Sequence, residues 1–152
     1  MTIDRTAVEE LIFDSCIKLD RKDWRGFFDL CEENFNYKIT AYAPEISKDM
    51  TWLDRSRAEI EEFIDMLPKH NTDPNPLTRH AQVSKVKLNG KHAEVVSNVQ
   101  IYWTALDGGA TRLFAVGKYH DTVALGGGRP RLLARHVKLD TRDLGWGTHL
   151  PL

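Results

Sequence analysis

The chain has 152 residues, 41% of them apolar and 28% charged, with a formal net charge of −1; that balance suits one globular domain and excludes a disordered chain. No block of like charge offers the basic face that phosphate binding rewards, and no apolar run is long enough to cross a bilayer, so neither nucleic acid nor membrane is an expected partner. The first turns carry Asp4, Glu9 and Glu10 rather than the apolar stretch of a signal peptide, which makes the cytoplasm the expected compartment.

In chain order, Val8, Leu11, Ile12, Cys16 and Leu19 recur at three- and four-residue steps and predict an amphipathic helix from Asp4 to Leu19, capped by Asp4. Asp20-Arg21-Lys22-Asp23 breaks the pattern, and Asp23 is placed to cap a short second helix through Trp24, Phe27, Phe28 and Leu30. Phe35, Tyr37, Ile39 and Ala41 alternate with polar neighbours and predict a strand from Phe35 to Tyr42. Ala43 to Asp54 has little period and carries Pro44, so it reads as a loop. Ser56 and Glu59 have capping-box spacing ahead of Ile60, Phe63, Ile64 and Leu67, and Pro68 ends that third helix. His70 to Pro76 reads as an exposed loop.

From Thr78 onward the chain is strand after strand. Val83, Val86 and Leu88 lead into Asn89-Gly90, a strong hairpin signal. Long strands are predicted at Ala93 to Ala105, Thr111 to Ala124 and Leu132 to Leu139, separated by Asp107-Gly108-Gly109 and Gly126-Gly127-Gly128. Helices first and a long meander afterwards is an α+β pattern, read as one domain over residues 1–152. Strands of this length coil, and the early helices can close the concave side into a cone.

Cys16 and Cys31 lie on predicted apolar faces outside any C-x-x-C or C-x-H pair, and are read as buried free thiols. His120-Asp121 sits within one strand, so the two side chains point to opposite faces and do not act together. His70, His92 and His149 fall in loops, turns or the tail without ligand spacing, and no metal site is expected. Gly126-Gly127-Gly128-Arg129 precedes a strand rather than a helix, so it reads as a turn and not a phosphate cradle. Arg129, Arg131 and Arg135 fall on one face of the last strand and Lys138 on the other; that face is either solvated or an interface. Trp103 is assigned to the core.

Three stretches carry a family resemblance. The first is a helix into Leu19-Asp20 followed by Asp23-Trp24-Arg25-Gly26-Phe27-Phe28-Asp29-Leu30 and a strand. The second is Thr78-Arg79-His80 at a strand start, ahead of the Val95 to Trp103 strand. The third is Arg135-His136-Val137-Lys138-Leu139-Asp140 with a tail closing in Leu150-Pro151-Leu152. Together they resemble the nuclear-transport-factor-2-like (NTF2-like) cone superfamily, and within it the small (beta) subunit of aromatic-ring-hydroxylating, Rieske-type oxygenases. The resemblance implies a curved antiparallel sheet packed on N-terminal helices and a structural role beside a large (alpha) subunit, as an alpha3beta3 hexamer, with a homotrimer possible for this chain alone. It also implies that the Rieske 2Fe-2S cluster and the mononuclear iron belong to the large subunit. This chain lacks the paired Cys/His set of the first and the two-His-one-carboxylate set of the second, and no cofactor is expected in it.

Asp20 and His80 are the fallback acid–base pair, because cone-fold dehydratases and isomerases, which the fold resembles, use an Asp or His in the pocket. The structural alternative is a helix-end Asp and a strand-start His, and no catalytic residue is assigned. A pocket that binds a small molecule without chemistry is the third alternative. Trp146, Leu150 and Leu152 make an apolar tail expected to dock on a partner or a neighbouring copy, and Arg135, with them, is a candidate interface residue.

Overall fold

The computed structural model describes residues 4–67, 73–145 and 150–152. Among the described residues, three helices and six strands follow one another as α1 (Arg5–Asp20), α2 (Trp24–Asp29), β1 (Cys31–Ala43), β2 (Lys48–Ser56), α3 (Arg57–Asp65), β3 (Leu77–Asn89), β4 (His92–Thr104), β5 (Thr111–Ala124) and β6 (Arg131–Leu139). Each helix begins where a short polar side chain accepts an orphan amide. Asp4 takes the Ala7 N–H at 3.0 Å, and Asp23 takes the Gly26 N–H at 2.9 Å. Ser56 and Glu59 form the reciprocal capping box.

The strands make one sheet in the order β2-β1-β6-β5-β4-β3. Hairpins join β3 to β6 in antiparallel succession. The expected all-antiparallel sheet needs one correction: β1 pairs with β6 in parallel. A two-residue hairpin dictates an antiparallel partner, whereas β1 and β6 are joined through most of the chain and are free to align.

A second correction concerns β2, whose residues read as loop. Its outer edge is unpaired, Leu53 is its only buried residue, and the ladder slips between Ile39 and Thr40. A polar edge strand with a bulge has no period for a sequence reading to find.

The core lies between α1, α2 and the concave face of the sheet. Val8, Leu11, Ile12, Cys16 and Leu19 of α1 meet Phe27, Phe35, Tyr37, Ile39, Val95, Val99, Ile101, Val123 and Val137. Phe27 packs edge-on against Phe28 and Phe35 at 5.6 and 5.9 Å between ring centres. Gly117 permits the closest approach of β5 to β6, because a Cβ there would overlap the backbone of Lys138 and Leu139.

Trp103 is not part of this core. It is half-buried at the end of β4, donates its indole N–H to Asp73 at 2.9 Å, and lies under the Arg112 guanidinium.

Candidate functional site: the interior of the cone

The interior of the cone holds a buried ion pair. Arg135 and Asp121 have side chains with 0% exposure, with Arg135 Nε donating to Asp121 Oδ1 at 2.8 Å and Nη2 to Oδ2 at 3.2 Å. They face each other directly across β5 and β6. The same Nη2 donates to Ser15 Oγ of α1 at 2.8 Å, and Ser15 passes its hydrogen to the Ile12 carbonyl at 2.6 Å. The guanidinium also stacks on the Tyr119 ring, 4.0 Å from its centre. Burial pushes the Asp121 carboxyl up against the pull of Arg135, while Arg135 is held protonated by Asp121 despite its own desolvation. Bonds from β5 and α1 fix the pair in position, but Arg135 Nη1 is buried without a hydrogen-bond partner, so part of the cost of taking the charge out of water is not offset.

Beside it, two buried phenols hold Leu152. Tyr37 and Tyr119 both donate to the Leu152 backbone oxygen, at 3.1 and 2.8 Å, and the Leu152 N–H donates to Tyr37 Oη at 2.6 Å. Burial raises the pKa of both phenols, so they act as hydrogen-bonding groups and not as bases. Leu152 is 1% exposed. Arg79 completes the closure: its Nη2 donates to the Pro151 carbonyl at 3.1 Å, and its Nη1 and backbone N–H both donate to Asp20 Oδ1, at 2.9 and 3.0 Å.

These contacts rearrange the expected site residues. Asp20 is bound by Arg79, not by His80. His80 is exposed, points to the opposite face of β3 from the buried Arg79, and packs against the Tyr102 ring at 5.4 Å. The structure therefore does not bring Asp20 and His80 together as an acid–base pair. Arg135 is likewise no surface residue. The β5–β6 register slips beside Leu132, so alternation counted from Arg129 mis-assigns its face. Leu152 folds back into the cone instead of projecting for a partner; Leu150 is half-buried, and Trp146 lies outside the described residues.

The outer face of the sheet is polar. An open depression of ≈ 310 Å³ runs across β1, β6 and β5, lined by Thr40, Tyr42, Asp49, Lys118, His120 and Lys138 with Leu139 and Asp140. Thr40 Oγ1 is hydrogen-bonded to His136 Nε2 at 2.7 Å beside it.

Residues 16–145 match the family model described as the ring hydroxylating beta subunit. The chain belongs to that family. It is 41% identical to the methanesulfonate monooxygenase hydroxylase subunit beta of Methylosulfonomonas methylovora, over 96% of this chain and 86% of that one. It is 28% identical to the 2-aminobenzenesulfonate 2,3-dioxygenase subunit beta of an Alcaligenes species, over 99% and 100% of the two chains. The fold is that of the beta subunit of an aromatic-ring-hydroxylating dioxygenase from Novosphingobium aromaticivorans, at a TM-score of 0.78 and 20% identity over 90% of this chain and 89% of that one.

As an oxygenase beta subunit, the chain shows no group of three or more His, Cys, Asp or Glu gathered to hold a metal ion among the described residues. Its two cysteines do not fit an iron–sulfur centre. Both are free and buried, burial pushes the Cys31 thiol up to about 12, and Cys31 donates to the Phe27 carbonyl. The residues that close the interior of this beta subunit, Ser15, Tyr37, Tyr119 and Asp121, escaped the sequence reading as a group. One signal pointed to them: the alternation of β1 and β5 sends Tyr37, Tyr119 and Asp121 to the concave side, where a buried polar group needs a partner.

Proposed function

We propose that this beta subunit is a non-catalytic scaffold of a Rieske-type oxygenase, whose iron–sulfur cluster and mononuclear iron reside in the large subunit. The observation that carries this reading is that the interior titratable side chains are bonded to one another and to Pro151 and Leu152. Tyr37, Tyr119 and Arg79 hold Pro151 and Leu152, and Arg135 is paired with Asp121 and Ser15. Acid–base catalysis needs a titratable group within hydrogen-bond reach of a substrate. Here the titratable side chains Tyr37, Tyr119 and Asp121 already bind protein atoms, while Ser97 Oγ, Arg79 Nε and Arg135 Nη1 are buried without a hydrogen-bond partner.

The assembly we infer is an alpha3beta3 hexamer. The substrate class is an organosulfonate, supported by the names of the two curated relatives, one acting on methanesulfonate and the other on 2-aminobenzenesulfonate. Co-expression with the large subunit tests the reading. The complex is expected to oxidise a sulfonate and to contain iron only with the large subunit present. Iron-dependent turnover by the beta subunit alone would overturn it.

A further inference from the structure

The centre of the outer sheet face carries an arrangement that costs the isolated subunit free energy. Lys118 of β5 stands directly across from Lys138 of β6, and His120 directly across from His136. On the other side of β6, Lys138 pairs with Thr40 and His136 with Lys38. Three lysines and two histidines thus fill two adjacent rows over three neighbouring strands. Among the described residues, none of the three lysines takes part in an ion pair. Like charges directly opposite on antiparallel strands are destabilising. Burial first, and Lys138 next, also hold both imidazoles below their ordinary pKa.

Two further observations mark the patch as a binding surface. It surrounds the ≈ 310 Å³ depression, and Tyr42, which lines that depression, is 55% exposed, with Ile46 of the β1–β2 turn 59% exposed. Tyr42 faces Asp49 directly across β1 and β2 and stands one row from Lys138; an exposed tyrosine ringed by charged groups is the composition of an interface anchor with a charged rim. Asp49 and Asp140 also line the depression, so the excess of positive charge lies in the two rows that hold Lys118 with Lys138 and Lys38 with the histidines.

We propose that this face receives an acidic segment of the large oxygenase subunit, with a carboxylate seated between Lys118 and Lys138 and an apolar side chain against Tyr42. The proposal rests on the oxygenase-subunit reading and adds where, and by what chemistry, the two chains meet. A carboxylate there neutralises the lysine pair, and the same charge favours protonated His120 and His136. The cost borne by the free subunit is then recovered only in the complex, which makes docking specific.

The test is co-expression and affinity co-purification with the large subunit, followed by light scattering, for the wild type, K118E/K138E, K118Q/K138Q and a control, K85E/K87E, on edge strand β3. Melting midpoints of the free chains establish that each variant is folded. The charge reversal is expected to weaken association by about tenfold or more and the glutamine pair by less, with the control unchanged and wild-type association falling as salt rises. Wild-type-like assembly by K118E/K138E overturns the proposal, as does an equal loss in the control. Loss of self-association by the free subunit with large-subunit binding intact assigns the face to a second copy of this chain and also overturns it. A wild-type chain that does not assemble with the large subunit overturns the oxygenase-subunit reading itself, and the docking face with it.

Discussion

Tyr37 Oη sits between the two backbone polar groups of Leu152, accepting from its N–H at 2.6 Å and donating to its backbone oxygen at 3.1 Å. A residue from the first strand and one 115 positions later thereby satisfy each other inside the cone. This contact places Leu152 inside the cone, where it is 1% exposed. It makes the tail part of the core, so substitutions there act on folding.

Tyr37→Phe removes both bonds and strands the buried Leu152 N–H, an unsatisfied donor that costs about 1–3 kcal/mol. Tyr119→Phe removes one donor while the backbone oxygen keeps its bond from Tyr37, so the loss is smaller, about 1 kcal/mol. Urea denaturation of the two variants checks the order, with Tyr37→Phe the less stable.

Arg135→Met leaves Asp121 fully buried without its partner and is expected to destabilise the chain by about 3–5 kcal/mol. Combining it with Asp121→Leu removes both charges, and stability is expected to return most of the way to wild type. Chemical denaturation of the single and double variants distinguishes a position-fixing pair from a merely attractive one.

Gly117→Ala puts a Cβ into the backbone of Lys138 and Leu139. The β5–β6 ladder must part to accept it, at about 1–3 kcal/mol. Faster amide hydrogen exchange along both strands is the expected signature, with β3 and β4 little changed.

The two half-buried histidines predict a pH dependence. Burial, with Lys138 second, holds His120 and His136 below the ordinary imidazole value of 6.5. The unfolded chain therefore takes up protons first on acidification, and their contribution to stability, full above 6.5, is lost as pH falls through the lower folded values. Lys38, Lys118 and Lys138 oppose protonation, while Asp49 and Asp121 favour it. Stability measured between pH 7 and 5 is expected to fall more steeply for wild type than for His120→Gln/His136→Gln. Equal slopes would contradict the account.

How far the sequence carried the reading depended on the range of the interaction. Asp4, Asp23 and the Ser56–Glu59 box were legible because a helix cap is settled within three or four residues. The Asn89-Gly90 hairpin and the long strands were legible for the same reason, and with the helices they identified the cone. The parallel β1–β6 pairing was not legible, because no local signal links segments from opposite ends of the chain. The inward turn of Arg135 was hidden by the register slip beside Leu132. Leu152 read as an exposed tail because the phenols that bind it stand 115 and 33 positions away. The motif Thr78-Arg79-His80 did mark the right strand start, but its interior residue is Arg79 and not His80.

The most direct test of the scaffold account is turnover of the reconstituted oxygenase, normalised to assembled complex, with His80→Ala and Asp20→Asn substituted separately in the beta subunit. Turnover per complex within about twofold of wild type is expected for both, because a positioning role leaves the transition state untouched once assembly is complete. A collapse of turnover with either variant in a fully assembled, iron-replete complex would contradict it.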